Sequence, residues 1–224
     1  MPANETLLFL NGPRLAWDRL AERLMEAGAC SALLTCRMEL PDAGPLVFTR
    51  PMAPGAVVCP PDMVFANPAF DFLLTLGGHL AEDDAQYQRL MHLLDALGET
   101  HFHLVENQGA TVVPEESARP PFAARFSVAS TFDQFHEVVT GFDPPFGFYI
   151  NSFYVFGQQP TWGMYLCELP TLLFIGCVPE WQERFAQVFG IAGNGYAALA
   201  PFITQEYQVH PPLQAALVRN YRLS

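Results

Sequence analysis

The chain has 224 residues, half of them hydrophobic and 15% charged, a composition that builds a core and excludes a disordered chain. Twenty-three acids stand against eleven bases, for a net charge of −12, and every base is arginine. Without lysine there is no Schiff-base chemistry of the PLP kind and no Walker A phosphate loop, and so acidic a chain is a poor partner for nucleic acid or an anionic membrane.

This length fits one large domain or two small ones. The chain reads as a single domain, 1–224, with a soft division near 119–121 at Arg119-Pro120-Pro121. The opening Met1-Pro2-Ala3-Asn4-Glu5 has neither the basic start nor the apolar run of a secretion signal. The longest apolar stretch, Met164 to Val178, is broken by Glu168 and Pro170 and falls short of the roughly 18 residues a membrane span needs. A cytoplasmic location is expected. Five cysteines, Cys30, Cys36, Cys59, Cys167 and Cys177, form no CxxC pair and read as small buried hydrophobes.

Residues 6–10 predict a short strand ended by Asn11-Gly12-Pro13, residues 14–27 a helix stopped by Gly28, and residues 31–39 a strand. From Pro41 to Pro68 the prolines leave room only for loops and edge strands. Asn67-Pro68 predicts a helix start, an N-cap followed by proline at N1, with the end near Gly77-Gly78. A further helix is predicted from Glu82 to Leu97, with Tyr87, Leu90, Leu94 and Leu97 on one stripe and Gly98 as its stop.

Strands follow at 101–106 and 122–129, then a short helix over 131–140 capped by Thr131. The stretch 145–178 predicts an antiparallel meander. Its turns are Gly157-Gln158-Gln159-Pro160 and Glu168-Leu169-Pro170-Thr171, so Cys167 faces Leu172 and Cys177 faces Trp162, too far apart for a disulfide. Helices are predicted from Pro179 to Phe189, Tyr196 to Ile203 and Pro212 to Tyr221. The fold class is α+β: an antiparallel or mixed sheet with several helices packed on one face.

Four constellations are candidates for chemistry. His101-Phe102-His103 on a strand puts two imidazoles on one face, half of a metal site, with His79, His92 or His136 as sources of a third ligand. Gly193-Asn194-Gly195-Tyr196-Ala197-Ala198 fits the dinucleotide fingerprint, but it follows a helix where the fingerprint follows a strand, so it reads as a helix–helix turn. Gly28-Ala29-Cys30-Ser31-Ala32 runs helix, turn, strand, the reverse of a nucleophile elbow. The fourth is an acid cluster, Glu82, Asp83, Asp84, Asp95 and Glu99, whose carboxylates diverge around a helix and lack EF-hand spacing.

The charge is concentrated where that cluster lies. Residues 51–118 hold ten acids and one base, Arg89. The expected function is a non-catalytic binding protein whose acidic surface, Glu82, Asp83, Asp84, Asp95 and Glu99, engages a basic protein. Small acidic bacterial proteins of the immunity and antitoxin type share this profile of charge and size. The alternative is a metal-dependent or other hydrolase built on His101 and His103. The sequence calls for no cofactor.

Overall fold

The segments Phe153–Gly157, Trp162–Cys167 and Leu172–Cys177 hold no charged side chain, and they become the middle of a sheet. The computed structural model describes residues 7–8, 60–77, 80, 83–106, 123–140, 153–167, 172–205 and 211–223. In it these segments are strands β5, β6 and β7, and all their residues are buried. With β1 (Leu7–Leu8), β2 (Asp71–Leu76), β3 (His101–Glu106) and β4 (Ala123–Ser127) they form one open sheet in the order β1-β4-β3-β5-β6-β7-β2. Every pairing is antiparallel.

Five helices complete the described architecture: α1 (Asp84–Ala96), α2 (Phe132–Thr140), α3 (Pro179–Phe189), α4 (Tyr196–Gln205) and α5 (Pro211–Asn220). They lie on both faces of the sheet, not on one. Leu104, Val155, Trp162, Met164 and Ile175 meet Tyr87, Leu90 and Leu94 of α1, Phe135 of α2 and Phe185 of α3. On the opposite face Phe72, Tyr154, Phe156, Tyr165 and Phe174 meet Leu199 and Ile203 of α4, Leu217 of α5, and Phe65, Phe70 and Tyr221. Strands apolar on both faces must be covered twice. Each large side chain so buried contributes about 1.5–3 kcal/mol, and Trp162, Tyr165 and Phe156 are all fully buried.

The helix predicted from Asn67 is a strand. Asn67 does cap a turn, its Oδ1 accepting from Ala69 N–H and its carbonyl from Phe70 N–H, but the chain then extends into β2 and pairs with β7. The apolar run Phe70, Phe72, Leu73, Leu74 has no helical stripe. Its alternate residues go to opposite cores, which is strand behaviour.

The other elements follow the sequence closely. Asp83 caps α1, accepting from Gln86 N–H at 2.9 Å. Gly98, at φ +77°, closes the helix and donates to the Asp95 carbonyl at 2.9 Å. Thr131 and Gln134 exchange side-chain and backbone hydrogen bonds, a capping box at the start of α2. Gly190 ends α3 at φ +66°. Cys167 pairs with Leu172 and Cys177 with Trp162 as expected, and no disulfide joins the two buried cysteines.

The predicted helix 14–27, the strand 31–39, the segment Gly28–Ala32, residues 145–152, the division near 119–121 and Cys30, Cys36 and Cys59 lie outside the described residues. Among the described residues no helix is long and apolar enough to cross a membrane.

Candidate functional site

Helices α1, α2 and α3 make one layer over the face of the sheet that holds Trp162. An amphipathic helix turns its apolar stripe to the sheet and its charges to water. Asp84 and Asp95 of α1, Asp133 and Glu137 of α2, and Glu180 and Glu183 of α3 are all exposed on it. Arg89 and Arg184 are the bases of the same three helices. Asp84 and Asp95 are eleven positions apart, about three helical turns and roughly 16 Å along α1, so one stripe of the helix carries both. Asp84 holds Gln88 at 3.3 Å, and Asp83 is committed to its cap.

The remaining members of the predicted acid cluster are Glu82 and Glu99. Glu82 lies outside the described residues. Glu99 is 3% exposed. Its carboxylate accepts from Gln158 N–H at 2.7 Å, Trp162 Nε1 at 3.0 Å and Gln159 N–H at 3.3 Å. It satisfies the β5–β6 turn from inside and presents no charge to a partner. Sequence offers no sign of this, because the indole it serves is sixty-three positions away.

His101 and His103 do share a face, as strand parity requires. His101 is half-buried, and its Nδ1 lies 2.6 Å from Thr100 Oγ1. Thr100 Oγ1 donates to Gln158 Oε1, so His101 Nδ1 is the donor in that pair. His103 is buried and stacks on Phe156 with ring centroids 5.2 Å apart. Burial foremost, then the positive fields of Arg125 and His101, lower its pKa from 6.5 to about 4, against a backbone hydrogen bond to Phe156. The imidazole is neutral at pH 7, and its Nδ1 is buried without a hydrogen-bond partner among the described residues.

Arg125 stands directly opposite His103 in the β3–β4 register. Only that long-range pairing brings the two together, and no local pattern of residues signals it. His92 is exposed on α1, and His136 lies against Phe132 at 5.4 Å. His79 lies outside the described residues. Among the described residues no three His, Cys, Asp or Glu converge as a metal site would need.

The glycine motif is a helix–helix turn between α3 and α4, as its context predicts. Gly193 and Gly195 are left-handed at φ +60° and +85°. Asn194 Oδ1 accepts from Tyr196 N–H at 3.1 Å and caps α4. The Asn194 carbonyl accepts from Leu74 N–H at 2.9 Å, which fastens the turn to the edge strand β2. A side chain at Gly195 would collide with the Leu74 carbonyl. The glycines serve the sheet edge, where open backbone groups must be covered.

No family model, curated protein or solved structure matches the chain.

Proposed function

We propose that this protein is a non-catalytic binding module of the cytoplasm whose α1–α2–α3 layer engages a basic protein, in the manner of an immunity or antitoxin protein. One observation carries the reading: six exposed carboxylates spread over a whole helical layer that holds two arginines. The opposite layer is unlike it, with Arg219 and Arg222 exposed alongside Asp62. A one-sided field of this kind steers a cationic partner and rejects anionic ones. The apolar surface points the same way. Leu213, on the opposite layer, is the exposed large hydrophobic among the described residues, so the acidic layer has charge and shape to offer, not a greasy patch.

The test compares the wild-type chain with Asp84→Arg/Asp95→Arg/Glu183→Arg, each immobilised in lysate of the source cell and eluted by rising salt. One basic protein is expected on the wild type, released at high salt and absent from the reversed variant, whose melting temperature stays unchanged. Equal capture by both chains would refute the surface.

A further inference from the structure

The edge strand β2 borders a cleft that the acidic layer does not use. An edge strand turns the N–H and C=O of alternate residues outward, away from its neighbour. Two such positions are occupied. Leu74 N–H donates to the Asn194 carbonyl at 2.9 Å, and the Phe70 carbonyl, immediately before β2, accepts from Arg222 Nη2. Phe72 lies between them with the same parity as Leu74. By that parity its backbone N–H and C=O turn away from β7, and Phe72 lines a cleft of about 350 Å³.

The walls come from both helical layers. Asp71 and Gln182 stand on the α3 side, Gly193 and Asn194 form one end, and Arg222 closes the other. Arg222 is fixed in place: its guanidinium lies 5.2 Å over the Phe72 ring, its Nη2 serves the Phe70 and Pro68 carbonyls, and its backbone is left-handed at φ +50°. Its Nε and Nη1 remain for a ligand. Gly193 leaves its end open, with no atom within 4 Å of where a Cβ would stand. Asp71 and Arg222 line the same cleft, yet no ion pair joins them.

We propose that this cleft binds a small zwitterion with the backbone of a free α-amino acid. Arg222 takes the carboxylate, Asp71 takes the ammonium, and the one open residue of the sheet edge, Phe72, supplies a donor and an acceptor between them. The occupied groups at Phe70 and Leu74 leave room for a single residue and exclude a longer strand. The volume is at the small end of ligand sites, and the arrangement does not depend on the acidic-layer reading.

The test titrates the intact chain calorimetrically with the standard free L-amino acids, one at a time at millimolar concentration, then with the N-acetyl and carboxamide derivatives of the tightest. Saturable binding of at least one amino acid is expected, with a loss of about tenfold or more for each derivative. Asp71→Asn weakens the free amino acid by about tenfold and leaves the N-acetyl derivative unchanged. Arg222→Gln weakens both the free acid and its N-acetyl form. Arg222 also ties the C-terminal turn to residues 68–70, so Asp71→Asn, which removes no hydrogen bond of the fold, carries the decision. No binding by any free amino acid overturns the proposal, as does binding that Asp71→Asn leaves intact.

Discussion

Glu99 occupies the space that a side chain at Gly157 would need. A Cβ built there would collide with the Glu99 carboxylate and stand 2.8 Å from Trp162 Nε1. The residue that opens the β5–β6 turn is therefore glycine because a buried acid sits beneath it, and the acid is there because the turn and the indole need an acceptor.

Removing that acceptor orphans three donors, one of them on a fully buried tryptophan. Glu99→Ala is expected to cost about 2–4 kcal/mol in urea unfolding. Gly157→Ala is expected to be severe alone and milder in the Glu99→Ala background, because the collision with the carboxylate is gone and only the contact with Trp162 Nε1 remains. Strictly additive free energies in that double-mutant cycle would contradict the shared space.

His103 gives the fold a pH dependence. Its pKa falls from 6.5 to about 4 on folding, chiefly through burial, so the unfolded chain binds the proton more tightly. Its contribution is complete above about pH 6.5 and drains away as pH falls toward about 4, to a total of about 3 kcal/mol. His103→Gln should flatten the decline in urea midpoint between about pH 7 and about pH 4.5. An equally steep decline in the variant would place the sensitivity in other groups.

Gly190 and Gly195 both sit in the left-handed region, but their surroundings differ. Nothing lies within 4 Å of a Cβ at Gly190, whereas one at Gly195 meets the Leu74 carbonyl. Gly190→Ala should cost about 1 kcal/mol, the conformational penalty alone. Gly195→Ala should cost about 2–4 kcal/mol, because the turn must leave β2. Thermal midpoints of the two variants decide it. Similar losses would mean the turn is not pressed against the edge strand.

Cys177 is sealed. Burial, with the nearby charges of Asp71 and Glu180, pushes its thiol up to about 12, and the thiolate is the reactive form. After iodoacetamide treatment of native protein at about pH 8, mass spectrometry should find Cys177 unmodified, and fully alkylated once urea is added. Rapid native labelling would show that the core around Trp162 opens.

Local rules made much of the fold legible. The stripe Tyr87, Leu90, Leu94 with Gly98 behind it set α1, and the turn at Gly157-Gln158-Gln159-Pro160 set the pairing of β5 with β6. The helix predicted from Asn67 failed because an N-cap followed by proline is a local signal, and the pairing of β2 with β7 overrode it. The same limit governs the sites. Parity alone put His101 and His103 on one face, while the burial of Glu99, the meeting of His103 with Arg125 and the opposition of Asp71 and Arg222 depend on distant pairing.

The β2–β7 pairing joins residues 96 to 106 positions apart in the chain. On a translating ribosome, β2 therefore waits for its partner for roughly 5–20 s. Phe72 and Leu74, destined for full burial, spend that interval with no sheet to join. The newborn chain thus carries β2 without its sheet partner until the last strand of the meander emerges.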